Sequence, residues 1–111
     1  RVLGEEHTKC IMSMNNLGAV FYHLKDYENS LDYYSQALRM KENNLGKTHP
    51  STLMTMMNMA IAYQQGLGDN LKAIEMYRRA LDGYERSLGK DHEDTIKCAR
   101  NLQFLMHIEG L

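Results

Sequence analysis

The 111 residues include one proline, no tryptophan, two cysteines and only two valines, Val2 and Val20. Scarce valine beside abundant Leu, Met, Ala, Lys and Glu disfavours strands, which take β-branched residues, and favours helices. Two cysteines, Cys10 and Cys98, are too few for a small disulfide scaffold, so a reducing, cytoplasmic setting is expected. No apolar run approaches the roughly 18 to 20 residues that cross a bilayer, and Arg1-Val2-Leu3-Gly4-Glu5-Glu6 lacks the apolar core of a signal peptide. A net charge of -1 lacks the cationic excess that neutralising several phosphates requires. Neither nucleic acid nor membrane insertion is therefore expected. The initiator methionine is absent too, and the chain is expected to be a piece of something longer.

What is present is a repeat. Leu3-Gly4-Glu5-Glu6-His7, Leu45-Gly46-Lys47-Thr48-His49 and Leu88-Gly89-Lys90-Asp91-His92 share one pattern, spaced 42 and then 43 residues apart. Asn16 matches Asn58 at 42 while Asp26 matches Asp69 at 43. This places one inserted residue in Gln65-Gly66-Leu67-Gly68, which reads as a loop.

Between these signatures two helical patterns recur. Ile11, Met14, Leu17, Phe21 and Leu24 stand three and four apart, as on one apolar helix face, and Leu53, Met56, Met59/Ala60 and Tyr63 repeat them. The second pattern is Tyr27, Leu31, Tyr34 and Ala37/Leu38, repeated as Leu71, Ile74, Tyr77, Ala80/Leu81 and Tyr84. Charges such as Glu75, Arg78, Arg79, Asp82 and Arg86 fill the remaining, solvated face. Pro50 suits a first helical turn, and Gly46 and Gly89 follow apolar runs as C-terminal capping glycines do. Helices are expected near 8–24, 27–44, 50–65, 70–87 and 93–108. A helix pair cannot bury its apolar faces alone, so successive pairs must stack into a solenoid.

These residues resemble the tetratricopeptide repeat family, in the longer 42-residue form typified by the kinesin light chain. The matching words are Asn15-Asn16-Leu17-Gly18 and Asn58-Met59-Ala60 in first helices, Tyr34-Ser35-Gln36-Ala37-Leu38 and Tyr77-Arg78-Arg79-Ala80-Leu81 in second helices, and the Leu-Gly-x-x-His junctions. The resemblance implies an all-α, right-handed superhelical solenoid of antiparallel helix pairs with about five helices. Residues 1–7 would end a preceding repeat, 8–49 and 50–92 would be two full repeats, and 93–111 a partial third repeat or capping helix. Gly18 and Ala60 are small where the two helices of a pair approach, and Ala37 and Ala80 where the second helix meets the next repeat. Tyr34 and Tyr77 would fill the gap between. In the third copy Gln103 takes the small position, Met106 the aromatic one and Glu93 the place of proline, which suits a wet terminal face or a chain cut within a repeat.

The resemblance also implies that first helices line a concave face. The residues there that the core does not need form a second stripe: Met12, Asn15, Asn16, Ala19, Tyr22 and His23, then Met54, Met57, Asn58, Ile61 and Gln65, then Lys97, Arg100, Asn101, Phe104 and His107. Asn16, Asn58 and Asn101 occupy one repeat position, whose amide in the resembling families holds the main chain of an extended peptide. An amide both donates and accepts, so it can pair with a backbone without reading its sequence; the alternative is a bond to its own neighbouring helix or loop. Met12, Met54 and Met57 offer adaptable apolar pockets, or else plain packing, as Met14, Met56 and Met59 do. Lys97 and Arg100 lie on one turn and could clamp an acidic group, or be ordinary solvated charge.

Other chemistries find little footing. His7, His49 and His92 recur at a full repeat rather than converging on one ion, and no metal or cofactor is expected; these histidines suit helix capping at the junctions. No nucleophile elbow, phosphate loop or zinc-helix motif is present, so no enzymatic activity is expected. The reading is a protein-interaction module of the adaptor or scaffold type that binds a short extended peptide, with no nucleic-acid role expected and the isolated chain expected to be monomeric. The alternative is a structural or sensor segment of a larger signalling NTPase, or a self-associating scaffold.

Overall fold

The computed structural model describes the backbone of residues 2–111 and the side chains of residues 9–111. Five α-helices are found among the described residues: α1 (Val2–His23), α2 (Tyr27–Leu45), α3 (Pro50–Ile61), α4 (Asn70–Leu88) and α5 (Glu93–Ile108), with a π-helical segment, Ala62–Leu67, extending α3. Consecutive helices pack against one another, α1 on α2, α2 on α3, α3 on α4 and α4 on α5, in a slab of 49 × 33 × 18 Å. No described helix is long and apolar enough to cross a membrane.

Local chemistry sets the boundaries. Asp26 and Asp69 precede α2 and α4, and their carboxylates accept from the amides of Asn29 at 3.3 Å and Lys72 at 3.2 Å, satisfying donors that a helix start leaves open. Gly46 and Gly89 end α2 and α4 at φ of 94° and 88°, the region glycine enters without steric penalty. Histidine then opens the next helix: His49 Nδ1 accepts from the Ser51 amide at 3.1 Å, and His92 Nδ1 from the Asp94 amide at 3.0 Å. The capping expected of these two histidines is present, while the side chain of His7 lies outside the described residues.

Two expectations require correction. α1 starts at Val2 rather than near residue 8, so the first Leu-Gly-x-x-His copy lies within a helix. That copy is followed by Thr8-Lys9, without the proline or acidic pair that starts α3 and α5. The expected loop at Gln65–Gly68 is mostly helix, for Gln65 to Leu67 belong to the π-helical segment. In the first repeat the Asp26 amide donates to the Phe21 carbonyl at 2.9 Å; in the second the Asp69 amide donates to Tyr63, the counterpart of Phe21, at 2.8 Å. One more residue spans the second pair. Widening a turn to the i→i+5 pattern absorbs it while keeping the backbone groups bonded, which a loop in the same place would not do.

A continuous core runs from Leu31, Tyr34 and Leu38 through Leu53, Met56 and Ala60 to Tyr77, Ala80 and Tyr84, and ends at Cys98, Leu102 and Leu105. The small positions serve as the pattern implied. A Cβ on Gly18 would lie 2.7 Å from the Tyr34 ring, and the Ser30 hydroxyl donates to the Gly18 carbonyl at 2.6 Å. Ala37, Ala60 and Ala80 are fully buried. Gln103, the polar counterpart of Gly18 and Ala60 on α5, is exposed.

One charge is enclosed. Lys41 of α2 is buried, and its ammonium donates to the Thr55 hydroxyl at 2.9 Å and the Ser51 carbonyl at 3.2 Å. The Thr55 hydroxyl in turn donates to Asn15 Oδ1 at 3.2 Å. Desolvation holds the Lys41 pKa below the usual lysine value.

Candidate functional site

Where α1 and α3 lie side by side, Ala19, Tyr22, His23, Tyr34, Asn58 and Ile61 line an open hollow of about 250 Å³. Its walls combine aliphatic and aromatic surface with the Asn58 amide, the mixture that orients a ligand while burying its apolar part. The Tyr22 hydroxyl donates to Gln65 Oε1 at 3.2 Å, tying α1 to the π-helical segment, and the Tyr22 ring meets Tyr27 edge-on at 5.7 Å. Burial, then the neighbouring Tyr22, raises the pKa of the Tyr34 phenol.

The equivalent place one repeat later is built from different parts, two of them bulkier. Ile61 stands for Ala19, Phe104 for Ile61, and Gln64 for Tyr22. Tyr77, the counterpart of Tyr34, donates from its hydroxyl to Gln64 Oε1 at 3.2 Å. Burial pushes the Tyr77 pKa up to about 12, the neighbouring Cys98 and Tyr22 adding to the rise and the Asn101 amide opposing it. Asn101 and its counterpart Asn58 each line a hollow.

A second, larger hollow of about 600 Å³ follows α5, bounded by Asp91, Glu93, Ile96, Lys97, Arg100 and Asn101. It brings together the expected cationic pair and the third asparagine. Asp91 and Glu93 stand in the same hollow, so two carboxylates offset the field of two cations; the proximity of both to His92 in the sequence was the available sign.

The remaining stripe residues divide. Met12, Met54 and Asn16 are exposed. Asn15 is half-buried and committed to Thr55. Met57 is a correction: it lies in the core cluster rather than on the open stripe, for its counterpart Asn15 bonds Thr55 of the next first helix, and the same register sets Met57 at the seam with the buried Cys98 of α5. Gln64 and the Tyr34 hydroxyl were not singled out beforehand. Nothing in the side-chain pattern marks Gln64, whose position depends on the widened turn.

Paired helices repeating at 42 to 43 residues, with small residues at each close approach, are matched by the tetratricopeptide repeat family model over residues 9–84 and 55–102. The chain belongs to the tetratricopeptide repeat family. Among solved structures it is similar to the crystal structure of BtubC (BKLC) from P. vanneervenii, at 18% identity and a TM-score of 0.79, covering 89% of this chain and 39% of that one. The repeat array thus spans well under half the length of that relative. No curated protein matches the sequence. Tetratricopeptide repeats generally mediate protein–protein interaction and scaffolding and are typically non-catalytic.

Proposed function

We propose that this array binds a short extended peptide of a partner protein across α1, α3 and α5, as an adaptor or scaffold without catalytic activity of its own. The observation that carries the reading is the hollow between α1 and α3, where the Asn58 amide stands beside apolar and aromatic walls. One bulky side chain of the peptide enters this hollow. Its main chain pairs with Asn58 and Asn16, while Met12 and Met54 supply adaptable apolar contact. Lys97 and Arg100 receive an acidic residue at one end, and the Asp91 and Glu93 carboxylates keep that end selective for a single acid rather than a run of them.

The test is a titration of acidic, aromatic-containing peptides against the wild-type chain, Asn58→Ala, Ala19→Ile and Lys97→Ala/Arg100→Ala. Asn58→Ala is expected to weaken binding about tenfold or more, the cost of roughly one or two lost hydrogen bonds. Ala19→Ile fills the hollow with the side chain its counterpart carries and should abolish binding of peptides with a bulky anchor. The double variant should lose both affinity and its salt dependence. Unchanged affinity across all hits in Asn58→Ala and Ala19→Ile would refute the assignment.

A further inference from the structure

Lys47 and Thr48, from the junction between α2 and α3, meet Arg79, Asp82 and Arg86 of α4 around a third hollow, of about 230 Å³. Met56 and Gly83, both buried, complete its lining. None of these residues lines either hollow described above. Arg79, Asp82, Gly83 and Arg86 fall three, one and three residues apart, on one face of α4. The two arginines therefore stand two helical turns apart, on either side of the glycine. A Cβ on Gly83 would collide with the Leu53 side chain, so at this point the α4 backbone itself borders the hollow.

The packing of the repeat does not call for these cations. α2 packs on α1 as α4 packs on α3, and it carries Gln36, Arg39, Met40 and Asn43 where α4 carries Arg79, Asp82, Gly83 and Arg86. Neutral side chains thus suffice at the two arginine positions, and a methionine stands where Gly83 leaves room. Arg79 Nη2 lies 3.3 Å from Glu42, and Arg86 Nε 3.2 Å from Asp82. Each carboxylate takes one edge of a guanidinium and leaves its other N–H donors for a ligand. Among the described residues no carboxylate pairs with the Lys47 ammonium. Three cations facing two carboxylates leave positive charge at this place in a chain whose net charge is -1. The dipole of α3, which begins just after Lys47 and Thr48, adds to it.

We propose that the hollow bordered by Lys47, Arg79 and Arg86 binds a phosphoryl dianion, such as that of a phosphorylated serine. Three terminal oxygens set tetrahedrally can meet an ammonium on the junction and two guanidiniums on α4 at once, which the two coplanar oxygens of a carboxylate cannot. Guanidinium forks match phosphoryl oxygens in spacing and direction, and the Thr48 hydroxyl offers a further donor. Glu42 and Asp82 hold the arginines by one edge and repel charge beyond a single dianion, so a polyanion gains little here. The site is separate from the peptide groove across α1, α3 and α5, and it stands or falls independently of it.

The experiment titrates the isotope-labelled chain, at fixed pH and ionic strength, with inorganic phosphate, with phosphoserine flanked by glycines, with the same peptide unphosphorylated, and with acetate. Phosphate and the phosphopeptide are expected to shift the side-chain N–H signals of Arg79 and Arg86 and the amides of Lys47 and Thr48. Both should bind about tenfold or more tightly than acetate, and the unphosphorylated peptide should leave these signals in place. Tighter binding of the phosphopeptide than of phosphate would assign the ligand to a modified protein side chain, and the reverse to free phosphate. Arg79→Gln/Arg86→Asn, which installs the side chains that α2 carries at these positions, should weaken phosphate binding about tenfold or more with little change in Tm. Lys47→Ala, in the exposed junction, should weaken it without altering α4, and Asp82→Asn should strengthen it. Equal affinity for acetate and phosphate, or unchanged phosphate binding in both Arg79→Gln/Arg86→Asn and Lys47→Ala, would overturn the proposal.

Discussion

Lys25 is the non-glycine residue with positive φ, 63°, and it occupies the turn that Gly68 occupies one repeat later. An L side chain in this region costs roughly 1 to 2 kcal/mol, so Lys25→Gly should stabilise the chain by about 1 kcal/mol, read as a higher midpoint in urea. Alkaline titration separates two kinds of buried group. Burial raises the Cys98 thiol from 9.0 to about 12, and Tyr77 and Tyr84 from 10.0 to about 12. Their folded values exceed the unfolded ones, so the stability they contribute is intact below pH 9 and is lost as pH climbs towards 12. Lys41 acts with the opposite sign: its folded pKa is lowered, and deprotonation at high pH relieves the cost of burying its charge. Denaturation followed from pH 8 to 11 should show a net decline, because three groups outweigh one; Cys98→Ala should remove the part that begins near pH 9, and Lys41→Met should steepen the remainder. None of these environments was legible beforehand. Lys41 stands in the second-helix register of Tyr84, but only the structure shows its ammonium turned inward onto Thr55.

At the scale of elements, the sequence was most informative where a residue type has one physical use. Pro50, Gly46, Gly89, His49 and His92 all mark junctions, and the observed helices α2, α4 and α5 begin and end within a residue of expectation. The pattern failed where the same letters serve two conformations. Gln65-Gly66-Leu67-Gly68 reads as a loop, yet Gly66 is in the π-helical segment because its bare Cα admits the Tyr27 ring, and only Gly68 has positive φ. Leu3-Gly4 likewise reads as a junction and is helical. His49→Ala removes the acceptor for the Ser51 amide and should cost about 1 kcal/mol, the usual value of an N-cap; His49→Asn should recover most of it. Measured by thermal melts with far-UV dichroism, equal losses in the two variants would show that the imidazole acts by packing instead. The lining of the hollow was legible on similar grounds: Ala19, Tyr22, His23, Asn58 and Ile61 fall on the stripe that repeat register picks out, whereas the burial of Met57 depends on the packing at the seam with Cys98.

Across the whole molecule the two inter-repeat seams differ in kind. The seam between α2 and α3 is built around Lys41, Thr55 and Asn15, whereas the corresponding residues in the next repeat are Tyr84, Cys98 and Met57, all buried in the core. A buried ammonium loses hydration that two neutral acceptors replace only in part, and among the described residues no carboxylate pairs with it. The first seam is therefore the weaker one, and α1 adds to the imbalance because Leu17, Val20 and Leu24 are exposed at its end of the array. In a solenoid, stability is close to a sum of repeat terms and nearest-neighbour terms, so the weaker seam and the barer end should open first. Native-state amide exchange is expected to run fastest in α1 and α2 and slowest in α3 and α4, with separate opening free energies for the two halves. Lys41→Met, which replaces the charge by apolar volume, should slow exchange in α1 and α2 by about tenfold and leave α5 unchanged, since a gain of about 1.4 kcal/mol lies within the range seen for such replacements. Uniform slowing across all five helices would instead mean that the array unfolds as one cooperative unit. The peptide groove makes this gradient consequential: α1 and α3 line its hollow from opposite sides of the weak seam, so a bound peptide that bridges Tyr22 and Asn58 should reproduce the protection pattern of Lys41→Met, and a peptide held only at Lys97 and Arg100 should not.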